Sequence, residues 1–290
     1  MQKITKIFSE EFSFFIVVPA FLWQIMFLWA PIIFILFLGF ISSDSNNFTF
    51  DHYKAIINFT HLKVILRSLI TALINTALSL LLAYPVAYFL VFRAKRWKSF
   101  LLFFLTLPLW VNFLIQVYSW FFLLEHHGII NQALMSIGLV QTPLHLVNNS
   151  FAISLVMLHV YLPFMIMPLY NALEKIDYNF IEASADLGAT KWQTFRRITW
   201  PLSIPGVYLG FFLVYVMSFG EVAIPMLLGG NKKLYVGNLI SEYFLGAKNV
   251  NRGSAFTLLS GLSLGLFLLS LYYIINKKSF KKIKSALNEK

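Results

Sequence analysis

Few side chains in this 290-residue sequence have both the type and the setting to do chemistry. Within its long apolar stretches the one acid is Glu221, and the one other titratable group besides the tyrosines is His159. A carboxylate placed in hydrocarbon is costly unless it faces protein or water, so Glu221 is expected to point inward, either to meet a passing solute or to hydrogen-bond a neighbouring helix. Helical spacing puts Tyr215, Ser218 and Pro225 near the same face. His159 reads as an interhelical hydrogen bonder. The six histidines are otherwise scattered, and the adjacent His126 and His127 cannot share one helical face, so no metal site is expected. There is no cysteine, hence no disulfide or thiolate chemistry, and no serine, histidine and carboxylate set suggests a catalytic residue. The phosphate-binding pattern G-x-x-x-x-G-K-[ST] is missing as well; Gly229-Gly230-Asn231-Lys232-Lys233 lacks its spacing.

The elements that must hold these groups are membrane spans. Hydrophobic residues make up 59% of the chain and charged ones 12%, with a mean hydropathy of +0.73, too apolar for one water-soluble globule. Six stretches are long enough to cross a bilayer: Phe14 to Ile41, Ser68 to Phe92, Ser99 to Leu124, Phe151 to Leu173, Gly206 to Leu228 and Ala255 to Asn276. The first, which contains Pro19 and Pro31, is too long for a signal-peptide core and is expected to remain as an anchor. Alternate intervals carry 16 and 7 Lys and Arg, and the richer set includes both termini, so both are placed in the cytoplasm. The net charge of +11 is thereby an orientation signal, spread over short flanking segments rather than gathered into a nucleic-acid-binding face. No interval is long enough for a soluble core, and residues 1–290 read as a single all-α membrane domain.

One cytoplasmic interval is more than a connection. Glu174 to Pro205 has the grammar of two short helices: Asp177 caps the first, Gly188 stops it, and Thr190 with Gln193 forms a capping box for the second. Pro201 and Pro205 are expected to limit its continuation into the next span. Small residues at the turn would let another protein approach the backbone, with Glu182, Asp186, Arg196 and Arg197 supplying polar contacts. An amphipathic pair resting on lipid fits the same pattern.

The string Glu182-Ala183-Ser184, then Gly188, then Ile198 and Pro201, resembles the E-A-A, three residues, G, nine residues, I-x-L-P signature of permease subunits from binding-protein-dependent ABC importers. Ser184 stands where Ala is usual and Trp200 where Leu is usual. Leu107-Pro108-Leu109-Trp110, Leu114-Ile115-Gln116-Val117-Tyr118, Leu162-Pro163-Phe164-Met165 with Pro168 and Tyr170, and Leu227-Leu228-Gly229-Gly230 are similar to the first permease type of the polyamine (spermidine/putrescine) branch. Gln116 departs from that branch, which often has Arg there. The resemblance implies a type I importer permease fold of six spans in the bacterial inner membrane. Glu182, Ala183, Ser184, Asp186, Leu187, Gly188 and Ala189 would then form a coupling helix seated in a cytoplasmic ATPase. That ATPase, acting as a dimer, would hydrolyse ATP, since this chain binds no cofactor. The other partners implied are a second, homologous permease and an extracytoplasmic substrate-binding protein facing Glu125 to Ser150 and Gly229 to Ser254.

For a cationic cargo, a carboxylate and aromatic faces can replace lost hydration. Trp110, Asn112, Tyr118, Ser218 and Glu221 are accordingly the candidate pathway residues, each open to a plain packing role instead. Three other functions remain in view: a permease of the same class for another small solute, because the coupling motif reports the energy source rather than the cargo; an ion-coupled secondary transporter, for which one Glu and one His offer thin support; and a non-transport scaffold or membrane enzyme, the latter disfavoured by the missing catalytic set.

Overall fold

A computed structural model describes residues 17–42, 47–230 and 233–288, with side chains described as far as Tyr273. The expected start of the first span at Phe14, the cations Lys3, Lys6 and Lys232, and the side chains of the basic tail lie outside the described residues. Helices dominate: α1 (Val17–Leu38), α2 (Asp51–Ile56), α3 (Phe59–Phe92), α4 (Lys98–Trp110), α5 (Phe113–Leu124), α6 (Ile129–Ser136), α7 (Ser150–Glu174), α8 (Tyr178–Asp186), α9 (Lys191–Phe219), α10 (Ala223–Leu228), α11 (Val236–Ser241) and α12 (Val250–Asn288). The only extended pairing among the described residues is one isolated bridge between Ile41 and Phe48. Five helices (α1, α3, α7, α9 and the part of α12 up to Tyr273) are long and apolar enough to cross a membrane, and a bent pair supplies a sixth candidate.

The described residues pack as two compact units, one of those up to Leu62 together with those from Ile240 onward, the other of those within Lys63–Leu239. In the first unit α12 packs on α1 and α2. Gly39 allows the approach, since a Cβ there would lie 3.0 Å from the Ala255 backbone nitrogen. The Ile41 carbonyl accepts from His52 Nε2 at 3.0 Å and from the Asn251 amide.

The second unit is centred on α7, whose Ala152, Ile153, Val156, Met157, Met165, Ile166, Leu169 and Leu173 are all buried. Its exposed positions, Phe151, His159, Asn171 and Glu174, are few, so most of α7 packs against protein. Helix α9 lies against it through Gly206 and Gly210. A Cβ on Gly206 would meet the Ala172 Cβ at 2.5 Å, and one on Gly210 would meet the Met165 sulfur at 2.7 Å. Helices that cannot rely on a hydrophobic drive in lipid gain from such close backbone contact. Helix α3 turns a small-residue stripe inward (Ser68, Ala72, Ser79, Ala83, Ala87), and Tyr84 hydrogen-bonds Ser203 of α9 at 2.9 Å.

Three expectations need correction. The third stretch, Ser99 to Leu124, is not one helix: α4 stops at Trp110, α5 starts at Phe113, and the two diverge by 93°. Pro108 removes a backbone donor in the last turn of α4, Val111 is extended, and Asn112 then caps α5. The fifth stretch, Gly206 to Leu228, is also broken, because α9 ends at Phe219 and α10 begins at Ala223. Pro225 could not donate to the Glu221 carbonyl within a continuous helix, and Gly220 sits at the C-cap. Conversely, Pro201 and Pro205 do not stop the second helix of the cytoplasmic interval, which runs unbroken from Lys191 to Phe219. A wide turn over Phe195–Thr199 precedes the prolines, with the Trp200 N–H bonding the Phe195 carbonyl five residues back. Such a turn accommodates a residue without a donor.

Candidate functional site

The two helix breaks meet at one cavity of about 360 Å³, lined by Leu109, Val111, Phe113 and Gln116 from the first break, Met217 and Glu221 from the second, and Val160, Tyr161 and Phe164 from α7. Each break leaves backbone groups without helical partners, and nearby side chains take them up. At the first, Asn112 Oδ1 accepts from the Leu114 N–H at 2.9 Å and the Ile115 N–H at 3.4 Å. Gln116 donates its amide to the carbonyls of Pro108 and Val111, the latter at 3.0 Å. At the second, Glu221 Oε1 accepts from the backbone N–H groups of Val222 at 3.1 Å, Ala223 at 2.8 Å and Ile224 at 3.2 Å. Its Oε2 accepts from the Tyr161 hydroxyl, and Asn238 donates to the Val222 carbonyl at 3.1 Å.

This arrangement sets a carboxylate on a cavity wall that includes no Lys, Arg or His. The C-terminal ends of α4 and α9 abut the same space, and helix C-termini carry partial negative charge. The N-terminal ends of α5 and α10 lie at the same breaks with the opposite partial charge, so what distinguishes the site is the lone carboxylate of Glu221 in a largely apolar and aromatic wall. Glu221 is held by four donors and cannot swing freely.

Of the expected pathway residues, Glu221 alone lines this cavity. Trp110 is 76% exposed and makes an edge contact with Phe103. Tyr118 is 46% exposed, and Asn112 is occupied as a helix cap. Ser218 is buried, and its hydroxyl has no hydrogen-bond partner among the described residues. The anticipated stripe of Tyr215, Ser218, Glu221 and Pro225 is not one helical face, because α9 ends before Glu221. Tyr161 and Phe164, which local spacing does not mark as site residues, line the same wall. Their signal was the Tyr161-Leu162-Pro163-Phe164 run, but nothing in it fixes a contact 60 residues away.

The cytoplasmic interval forms the capped pair its residues imply. Asp177 accepts from the Asn179 N–H at 3.0 Å, Gly188 closes α8 at φ +79°, and Thr190 and Gln193 exchange both capping-box bonds. Ser184, in the place of the usual Ala, joins the helices: it is buried and its hydroxyl bonds that of Thr194 at 2.8 Å. Around it Glu182, Ala183, Asp186, Leu187 and Gly188 are exposed, Leu187 to 88%, while Ala189 is half-buried. Nothing lies within 4 Å of where a Gly188 Cβ would project. Trp200, in the place of the usual Leu, packs its ring 5.3 Å from that of Tyr84.

Residues 76–281 match the family described as binding-protein-dependent transport system inner membrane component. The chain is 35% identical over 285 residues to the spermidine/putrescine transport system permease protein PotB of Haemophilus influenzae, covering 96% of this chain and 99% of that protein. It is 35% identical to the Escherichia coli K12 protein of the same name over 267 residues, 90% and 97% of the two chains. The molybdenum transport system permease protein ModB of Azotobacter vinelandii is 28% identical over 212 residues, 72% of this chain and 91% of that one. Among solved structures, a bacterial ABC transporter involved in alginate import superposes with a TM-score of 0.69 at 17% identity, covering 95% of this chain and 99% of its counterpart, a likeness of fold. With a family match over most of its length and relatives of this identity covering nearly all of it, the chain belongs to the inner-membrane permease components of binding-protein-dependent transport systems.

Proposed function

We propose that this chain is the first permease of an ATP-driven polyamine importer, passing spermidine or putrescine inward from an extracytoplasmic binding protein. The observation that carries this reading is end-to-end similarity to permeases named for those two solutes. The site chemistry agrees with it: a lone carboxylate at a helix break, on a cavity wall without a cationic side chain, suits an ammonium group better than an anion. Tyr161 and Phe164 add aromatic surface to the same wall.

Both termini face the cytoplasm, as the Lys and Arg distribution favours. The exposed knuckle from Glu182 to Ala189 then seats in one subunit of an ATPase dimer, and ATP is bound and hydrolysed there, this chain holding no cofactor. A second permease completes the pathway. On the outer side, Glu125 to Ser150 is a firm docking surface because buried Asn131 braces it, donating to the carbonyls of Glu125, His126 and Leu144 and accepting from the Leu144 N–H at 3.0 Å. Rigid coupling of α8 to the long α9 would carry ATPase closure to the break at Glu221.

The test is ATP hydrolysis by the reconstituted complex in the presence of its binding protein. Spermidine or putrescine should stimulate it, and molybdate or an alginate oligosaccharide should not. Stimulation by an unrelated solute and none by polyamines would favour import of a different cargo by the same machinery.

A further inference from the structure

A second cavity, of about 410 Å³, lies between the end of α3 and the helix pair of the coupling loop. Its walls divide by chemistry. Phe92, Ile181, Ala185 and Ala189 are apolar, Tyr88 and Tyr178 are amphipathic, and Arg93, Lys95 and Lys191 supply three positive charges. No acidic side chain lines it. Among the described residues, none of the three cations forms an ion pair. Lys95 has φ +27°, a backbone conformation that side-chain-bearing residues rarely adopt. All three are exposed, so water weakens their mutual repulsion, but together they place three positive charges around one hollow where an anion could pair with them.

We propose that this cavity holds the phosphodiester headgroup of an anionic phospholipid from the cytoplasmic leaflet, gripped by Arg93, Lys95 and Lys191. The apolar wall continues from the end of a membrane span, so the ligand must be anionic at one end and apolar at the other, as a phospholipid is. Basic pockets beside spans on the cytoplasmic side are suited to such headgroups. Of the Glu182–Ala189 knuckle, Ala185 and Ala189 form part of the cavity wall while Glu182, Asp186, Leu187 and Gly188 do not line it, so the outer knuckle stays open to the ATPase when lipid is bound. Because one wall is α3 and another is the α8–α9 turn, an occupied cavity braces the coupling loop against the span, and anionic lipid would set how firmly ATPase movement reaches the pathway.

The proposal rests on the reading above only for the cytoplasmic placement and the ATPase partner. Each lost cation lowers affinity for an anionic surface roughly fivefold, so the triple variant R93Q/K95Q/K191Q should bind on the order of a hundredfold more weakly. The assembled importer is placed in nanodiscs of phosphatidylcholine with increasing phosphatidylglycerol, and polyamine-stimulated ATP hydrolysis is followed. Hydrolysis by the wild type should rise with phosphatidylglycerol, the triple variant should lose the rise, and R96Q/K175Q, which removes two cytoplasmic charges outside the cavity, should keep it. Native mass spectrometry of the wild type should show phosphatidylglycerol retained, and retention should fall in the single variant K95Q. A triple variant that responds like the wild type, inorganic phosphate reproducing the rise in neutral discs, or no phosphatidylglycerol retained by the wild type would each overturn the proposal. Failure of the importer reading shows separately, as absence of polyamine-stimulated hydrolysis in every lipid.

Discussion

Glu221 is at once a structural cap and the one acid on its cavity wall, and two substitutions separate those roles. Glu221→Gln keeps an oxygen that accepts from the three backbone N–H groups after the break but removes the charge. It should leave the protein folded, with thermal stability in detergent little changed, while polyamine uptake falls roughly tenfold or more, the scale of one lost charge-assisted contact of ~1.5–3 kcal/mol. Normal uptake by this variant with ATPase coupling intact would exclude an essential charge contact. Glu221→Ala removes the cap as well and should cost a further ~1–2 kcal/mol, read as a lower unfolding temperature. The aromatic groups expected beside Glu221 turn out to be different ones: Tyr161 donates to it, while Trp110 lies exposed. A hydrogen bond between residues 60 positions apart leaves no mark on local spacing, which is why the acid was legible in the sequence and its partner was not.

At the scale of elements, close backbone approach and left-handed turns make the sharpest predictions. Gly188 stands at φ +79° with open space around it, so a larger residue meets backbone strain but no internal clash. Gly188→Leu should cost about 1 kcal/mol of local stability, yet abolish ATPase co-purification by occupying the surface where the partner seats. A variant that still binds the ATPase and transports normally would contradict the coupling role. Gly206→Ala acts inside the bundle instead, driving a Cβ against Ala172 and the Pro168 carbonyl. It should destabilise the α7–α9 contact by ~1–3 kcal/mol, measured as a lower unfolding temperature. Local devices such as the Asp177 cap, the Gly188 stop and the Thr190–Gln193 box were legible because capping involves neighbours within four residues. The breaks after Trp110 and Phe219 were not, since apolar composition runs straight across both and hydropathy does not sense backbone hydrogen bonding. Pro108 with Asn112, and Gly220 with Pro225, were the available signals. At Pro201 and Pro205 the same reasoning misled, because a wide turn precedes Pro201 and the helix carries Pro205 within it.

Over the whole molecule, charge and apolarity serve different ends. The apolar stretches yield spans, and the +11 charge sits mainly in the intervals assigned to the cytoplasm, away from the proposed path. A basic protein can therefore present a lone carboxylate to a cationic solute. The central claim is that ATP hydrolysed by a partner drives polyamine through the cavity at the two helix breaks. It is tested most directly by uptake of labelled spermidine into proteoliposomes holding this chain, its second permease and the ATPase, with the binding protein outside and ATP inside. Accumulation should require both ATP and the binding protein and persist when proton and sodium gradients are collapsed. Accumulation driven by an ion gradient without ATP would contradict it.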